Sequence, residues 1–163
     1  MTNQNPNILK VSKNKQEKLL HPETFSMDEL MDELYTYAKN ELQKSGKSNV
    51  GIEIFKFSDF EKCWVHTDRI RLRQIFINLL DAAVKLTDTG YIFFGYHTSV
   101  SNNMNFFVED TGSGIYNDDN FGMTIAHGLV HQMGGKMEVE FQENAGMSVD
   151  FNIMCYPCEI FEN

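Results

Sequence analysis

The order of helical and strand-like stretches constrains the fold of this chain more than any other feature of its sequence. Residues 27–45 place apolar side chains, among them Leu30, Leu34 and Leu42, at helical spacing, which predicts an amphipathic helix. Residues 50–57 alternate apolar and polar side chains instead, which predicts a strand. The same criteria predict, along the whole chain, helix 27–45, strand 50–57, a short strand 64–65, helix 68–86, strands 91–100 and 104–109, helix 124–133, and strands 136–143 and 147–155.

Strands in this order come in adjacent pairs with helices between them. Such a pattern favours an α/β fold of the two-layer sandwich type, in which one mixed sheet carries about three helices on one face. Residues 1–20 mix asparagine, lysine and glutamine with few apolar residues. We therefore expect a polar tail or linker over residues 1–20, followed by one domain over residues 21–163.

Two helix starts are marked by residues whose side chains accept hydrogen bonds from a first helical turn. Ser26 precedes Glu29 at capping-box spacing, so we expect its hydroxyl to cap the first long helix. Thr67 lies directly before the second long helix, and we expect it to cap that helix.

The bulk composition excludes several classes of protein. A chain of 163 residues with 42% hydrophobic and 23% charged residues is typical of a soluble domain with a sizeable core. Its formal net charge of -9 argues against nucleic acid as a partner, because phosphate backbones require a basic face. No apolar run approaches the length of a signal-peptide core or a membrane span, so we expect a cytoplasmic protein without membrane contact, monomeric in isolation.

Three stretches carry a resemblance to a known family. Residues 68–90 read DRIRLRQIFINLLDAAVKLTDTG, residues 108–115 read VEDTGSGI, and residues 125–135 read IAHGLVHQMGG. In this order they are very similar to the ATP-binding (catalytic) domain of sensor histidine kinases, and the resemblance extends over nearly the whole chain. It implies the Bergerat fold of the GHKL ATPases, the superfamily of gyrase, heat-shock chaperones, histidine kinases and mismatch-repair proteins.

The resemblance implies an adenine site in the glycine loop. Asp110 stands where the family has the carboxylate that accepts a hydrogen bond from the adenine amino group. Gly112 and Gly114 would let the backbone approach the base closely, because they lack a Cβ atom. The alternative is that this loop is simply a tight turn.

The resemblance also implies where the phosphates bind. Asn78 and Lys85 lie two turns apart on one face of a predicted helix, where the family places groups close to the phosphates. Gly122 is what remains of the second glycine box, and the family's cofactors are ATP and Mg²⁺. Alternatively, Lys85 is a solvated lysine that complements the negative end of the helix dipole.

One position departs from the family at the metal site. The family's second asparagine, which coordinates Mg²⁺, is replaced here by Ala82. A methyl group cannot bind a cation that requires oxygen ligands. Asp81 is adjacent but points about 100° away around the helix, so the sequence predicts no metal ligand set.

The connection between the two glycine boxes departs as well. Only residues 116–121 separate Ile115 from the second box, too few to fold over a triphosphate as the family's lid does. Asp118 and Asp119 add negative charge near the expected phosphates. We further hypothesise that Phe121 and Met123 fill an unused adenine pocket.

Two functions follow from these features, and neither places a catalytic residue in this chain. The first is a degenerate ATP-binding domain that acts by docking to dimerisation helices or to a response regulator. The second is an active kinase module that binds ATP and phosphorylates a histidine outside this chain. None of the chain's own histidines has the context of a phosphoacceptor: His21, His66, His97, His127 and His131.

Cysteine supplies a weaker signal. Cys155 and Cys158 form a CxxC pair near the end of the sequence, and Cys63 is the third cysteine. With a histidine, these thiols would suit zinc, and a CxxC before a helix would suit redox chemistry. We favour ordinary thiols over either site.

Overall fold

Three helices and eight strands make up the part of the chain that this computed structural model describes, residues 20–58, 61–98, 104–115 and 121–158. In chain order they are β1 (Glu23–Ser26), α1 (Met27–Lys44), β2 (Gly51–Phe57), β3 (Trp64–Thr67), α2 (Arg69–Leu86), β4 (Tyr91–Thr98), β5 (Met104–Asp110), α3 (Phe121–Gln132), β6 (Lys136–Gln142), β7 (Gly146–Asn152) and β8 (Tyr156–Cys158). The expected tail lies almost wholly outside the described residues. No helix in these ranges is long and apolar enough to cross a membrane.

Five strands form one mixed sheet in the order β2-β4-β5-β7-β6. β2 runs parallel to β4, and the remaining neighbours are antiparallel. Between β2 and β4 the chain passes through β3 and the helix α2. This long crossover connection allows the two strands to run parallel. The predicted α/β fold with a mixed sheet and three helices is confirmed.

A second, smaller sheet was not predicted. β1, β3 and β8 form it, with β3 in the middle and both pairs antiparallel. Trp64 opens β3 and lies opposite Ser26 on one side and Cys158 on the other. β1 and β8 have only four and three residues, so no alternation could develop that would reveal them in the sequence.

The sequence predicted one of the two helix caps correctly and misplaced the other. Ser26 caps α1 as expected. The cap of α2 is Asp68, whose Oδ1 accepts from the backbone N–H of Arg71 at 3.0 Å, so the prediction of Thr67 was wrong by one residue. The Thr67 hydroxyl instead donates to the carbonyl of Met154 at 3.3 Å. A carboxylate is well suited to this position, because it also complements the positive end of the helix.

Helix α2 is held on the sheet by an aromatic cluster. The Phe76 ring is fully buried, and its centroid lies 6.2, 5.8 and 5.4 Å from those of Phe94, Phe106 and Phe151. All three pairs meet edge to face, an arrangement that stabilises beyond the apolar area it buries. One side chain thus joins α2 to β4, β5 and β7.

The C-terminal end of α2 is fixed by a lysine from the turn after α1. The Lys47 ammonium donates to the carbonyls of Val84 and Lys85 at 2.8 and 3.2 Å, and pairs with Asp88 at 2.9 Å. These carbonyls have no partner inside the helix, and a cation also complements the negative end of the dipole. The contact positions the residues that follow α2.

Truncating Phe76 should therefore cost far more stability than truncating an exposed residue of the same helix. We expect Phe76→Ala to lower the free energy of unfolding by about 3–5 kcal/mol, because it removes a ring from the core and leaves a cavity. Ile70→Ala is the matched control, since its side chain is 74% exposed. Urea denaturation followed by circular dichroism measures both, and equal losses would contradict the role of Phe76.

Candidate nucleotide site

Asp110 lies buried at the end of β5, next to the C-terminal end of α2. Its Oδ1 accepts from the backbone N–H of Gly112 at 2.8 Å. Its Oδ2 is buried and has no hydrogen-bond partner among the described residues, and the same holds for the Thr87 hydroxyl. Because buried polar groups are rarely left unpaired, these two atoms make this end of β5 the candidate site for an ordered water or a polar ligand.

The environment of this carboxyl opposes its ionisation. Burial raises the pKa of Asp110 above its ordinary value, whereas the backbone N–H groups of Gly112 and Met147 lower it. The Thr87 hydroxyl also faces the carboxyl and favours its charged form, although no hydrogen bond of ordinary geometry joins them. The largest effect is that of burial, and the pKa is raised on balance.

The two predicted glycines are required by packing within the chain. A Cβ atom on Gly112 would collide with the carbonyl oxygen of Leu86, to which Ser113 N–H donates at 3.2 Å. Gly114 has a φ of +62°, and a Cβ there would collide with the carbonyl of Gln142 at the end of β6. Each position therefore requires glycine whether or not a ligand binds, which leaves room for the tight-turn alternative.

Asn78 and Gly122 are brought together by the packing of α3 on α2. The Asn78 amide donates to the carbonyl of Gln74 at 2.9 Å, one turn earlier in its own helix. A Cβ on Gly122 would lie 3.1 Å from the Asn78 carbonyl oxygen and 3.4 Å from its Oδ1. The absence of a side chain at position 122 thus lets the first turn of α3 approach the polar face of α2.

Lys85 lies at the other end of the same helix face. Seven residues separate it from Asn78, about 10 Å along the helix axis. Its side chain is exposed, and in the described part of the chain its ammonium makes no hydrogen bond or ion pair. Both predictions for this lysine, a phosphate-binding group and a solvated helix-end cation, are compatible with that position.

Few oxygen groups lie on the face of α2 that carries Asn78 and Lys85. Ala82 lies between Asn78 and Lys85 on the same face and offers no oxygen. Asp81 is turned toward α1, where it accepts from the Tyr37 hydroxyl at 2.7 Å. Burial raises the pKa of Asp81, although the hydrogen bond from Tyr37 lowers it. Among the described residues, no three His, Cys, Asp or Glu side chains are grouped to hold a metal ion.

Of the predicted connection over residues 116–121, the structure describes Phe121. Asp118 and Asp119 lie outside the described residues. Helix α3 begins at Phe121, three residues before the predicted start. The Phe121 side chain is 75% exposed, so the hypothesis that it fills the adenine pocket is wrong; Met123 is buried.

The cysteines have the character of packing residues. Cys63 and Cys155 are buried, and Cys158 is half-buried in β8. Burial raises the pKa of Cys155 to about 12, with smaller contributions from the other two thiols. A thiol with such a pKa stays protonated near neutral pH and is a poor nucleophile.

Thr87 is the site residue that the sequence did not reveal. It follows α2 directly, is fully buried, and its hydroxyl faces the Asp110 carboxyl. A threonine beside the turn residues Asp88 and Gly90 has the appearance of ordinary turn chemistry. The signal that could have found it is its place inside residues 68–90, the first of the three stretches that carry the resemblance.

A family profile now identifies the chain. The profile described as histidine kinase-, DNA gyrase B- and HSP90-like ATPase matches residues 67–156, more than half of the 163 residues. The chain belongs to this family. The match contains α2, the glycine loop and α3, so the GHKL resemblance inferred from the three sequence boxes is confirmed.

Solved structures of histidine kinases share the fold. The Acinetobacter baumannii histidine kinase AdeS has a TM-score of 0.69 at 21% identity, over 90% of this chain and 74% of that one. The catalytic domain of histidine kinase ThkA, in a nucleotide-free form, has a TM-score of 0.66 at 24% identity, over 82% of this chain and 95% of that one. Full-length ShkA in complex with AMPPNP has a TM-score of 0.71 at 22% identity, but only 32% of its length is covered, against 87% of this chain.

The raised pKa of Asp110 predicts a pH-dependent effect of Asp110→Asn. Above the ordinary value of 3.8 and up to the raised folded-state pKa, the folded protein binds more protons than the unfolded chain. The stability that Asp110 contributes therefore falls as pH rises through this window, and asparagine lacks this dependence. We expect the stability of the variant relative to the parent to increase with pH across the window and then to level off. Urea unfolding over a pH series measures this, and a constant difference would contradict the raised pKa.

Proposed function

We propose that this domain binds an adenine nucleotide through Asp110, holds Mg²⁺-triphosphate poorly, and acts chiefly by docking to protein partners. The observation that carries the proposal is Ala82, which lies on the same side of α2 as Asn78 and Lys85 and supplies no ligand oxygen. The profile match to an ATPase family supports the nucleotide-binding part of the proposal, and Ala82 motivates the reduced metal binding.

Adenine recognition is supported by the unpaired polar atoms at the end of β5. The Asp110 Oδ2 can accept from an exocyclic amino group, and the Thr87 hydroxyl can donate to a ring nitrogen. Together they match the donor and acceptor pattern on one edge of adenine. ShkA, a structural neighbour, was solved with the ATP analogue AMPPNP.

Weak binding of Mg²⁺-triphosphate is supported by the groups around Asn78. Its amide is engaged with Gln74, and Asp81 is engaged with Tyr37 on α1. The connection of residues 116–120 is short, as the sequence alone establishes. A hard cation that retains most of its water would gain little from a single amide oxygen.

Docking is supported by apolar side chains exposed on the helical layer. Ile70 on α2 is 74% exposed, and Phe121 and Ile125 on α3 are 75% and 50% exposed. Exposed apolar groups on adjacent helices are typical of interaction surfaces. Dimerisation helices of a histidine kinase or a response regulator are the partners we propose, since the structural neighbours are histidine kinases.

An active kinase module is the second candidate. It is favoured by Lys85, whose ammonium is exposed and makes no ion pair in the described part of the chain. Such a lysine can approach a phosphate without breaking an existing contact. In this reading the domain binds ATP productively and transfers phosphate to a histidine outside this chain.

Nucleotide titration of the Ala82→Asn variant separates the two candidates. We expect the parent domain to bind ADP and ATP weakly, with almost no effect of Mg²⁺. Asparagine at position 82 would add an amide oxygen on the same helix face, so Mg²⁺ should then tighten ATP binding by about tenfold, equivalent to roughly 1.4 kcal/mol. Isothermal titration calorimetry with and without Mg²⁺ measures both dissociation constants.

The matched control is Asp81→Asn, which places the same side chain one residue earlier, on the side that faces Tyr37. It should leave the Mg²⁺ effect unchanged. A parent domain that binds ATP at micromolar levels, more tightly with Mg²⁺ and without further gain in Ala82→Asn, would favour the active kinase module instead.

A further inference from the structure

The face of the five-stranded sheet opposite the helices has a distinct chemical pattern. In β4, Ile92, Phe94 and Tyr96 are buried in the core, so the alternate residues point to the opposite face. From β2 to β6, three successive rows on this open face are Glu53-Phe93-Glu109-Ser148-Glu140, Phe55-Gly95-Phe107-Asp150-Glu138 and Phe57-His97-Asn105-Asn152-Lys136.

Five rings on this open face form a continuous aromatic patch, which consists of Phe55, Phe57, Tyr91, Phe93 and Phe107. The Phe55 centroid lies 5.8 Å from Phe57, 5.9 Å from Phe93 and 6.4 Å from Phe107. Tyr91 stacks on Phe93 at 5.8 Å. The patch therefore extends across β2, β4 and β5 and joins both ends of β2.

Some rings of the aromatic patch are explained by the need to cover Gly95, but others are not. Gly95 lies between Phe55 and Phe107 in the register, and their rings close over it as aromatic side chains do beside strand glycines. Phe57 and Tyr91 extend the patch beyond that position, yet they remain 56% and 50% exposed. Rings that stay in water do not contribute the favourable free energy of burying apolar surface, and a bound partner would bury them.

Five carboxylates lie between these rings or beside them on β6 and β7, and we call this set the acidic rim: Glu53, Glu109, Glu138, Glu140 and Asp150. Glu53 and Glu109 flank Phe93 on the two neighbouring strands. None of the five carboxylates forms an ion pair with a described residue. Asp150 and Glu138 lie directly opposite each other, and like charges in that arrangement destabilise a sheet.

The crowding of negative charge is visible at Asp150. Partial desolvation raises the pKa of its carboxyl, and Glu138 and Glu140 raise it further, whereas His97 lowers it. His97 and Lys136 are the basic residues in the three rows, and both lie in the row farthest from Glu53. Among the described residues of this face, the five carboxylates of the acidic rim therefore outnumber these two basic residues.

We propose that this open face is a docking surface for a basic amphipathic polypeptide segment of another protein. Its apolar side chains would cover the aromatic patch, and its lysines or arginines would pair with the acidic rim and lie over the exposed rings. Charge complementarity selects this occupant, because an acidic partner or a second copy of a chain with net charge -9 would meet the same carboxylates. The surface is separate from the nucleotide site and from the apolar residues of the helical layer.

Fluorescence anisotropy with a labelled amphipathic helix of leucine and lysine tests the proposal. The double variant Phe57→Ser/Tyr91→Ser should weaken binding by about tenfold or more, as expected when exposed aromatic anchors are removed. The double variant Glu138→Gln/Glu140→Gln should weaken binding at low salt and reduce its salt dependence. Circular dichroism confirms that each variant is folded, and the charge variants keep the test valid if the aromatic pair unfolds.

The matched control is Phe121→Ser/Ile125→Ser, which removes similarly exposed apolar side chains from the helical layer. It should leave the affinity unchanged. Equal weakening by the control, equal binding of a helix in which glutamate replaces lysine, or no effect of the open-face variants would each overturn the proposal. Sedimentation that shows a dimer of the parent and a monomer of Phe57→Ser/Tyr91→Ser would overturn it too, in favour of a second copy as the occupant.

Discussion

The packing of helix α2 is the interaction on which the rest of the molecule depends. Phe76 in the middle of this helix packs against three strands, and the first turn of α3 packs against Asn78. At the end of the helix, the Leu86 carbonyl accepts a hydrogen bond from the glycine loop. Both parts of the candidate site, Asp110 with Thr87 and Asn78 with Gly122, are therefore positioned by one helix. Ala82 lies within this helix, whereas the loop around Asp110 contacts its C-terminal end at Leu86.

Much of the fold could be predicted from periodicity, because long elements repeat their pattern several times. The 18 residues of α2 and the paired strands of the main sheet were recognisable in this way. The three-stranded sheet was not, since β1 and β8 are too short and their partners lie far away in sequence. The cap of α2 was misplaced by one residue because Thr67 and Asp68 are both good capping residues, and only the backbone geometry distinguishes them.

The candidate site was predicted from sequence boxes rather than from physical pattern. Those boxes placed Asp110 and Asn78 on their elements, but no box shows which way a side chain points. Phe121 is exposed although its ring suggested burial, and Thr87 is buried although its neighbours suggest a turn. Direction and burial depend on how α3 and the glycine loop pack on α2, contacts that link residues tens of positions apart.

The small sheet also determines what optical spectroscopy can observe in this protein. Trp64 is the one tryptophan in the sequence, and it lies on β3, before the N-terminal end of α2. The glycine loop lies beyond the other end, about 27 Å away along 18 residues of helix. Indole emission therefore monitors the junction of β1, β3 and β8, while events around Asp110 take place outside its immediate surroundings. Intrinsic fluorescence and far-ultraviolet ellipticity thus follow different regions of the molecule, and their melting curves coincide only where the small sheet and the main sheet unfold as one cooperative unit.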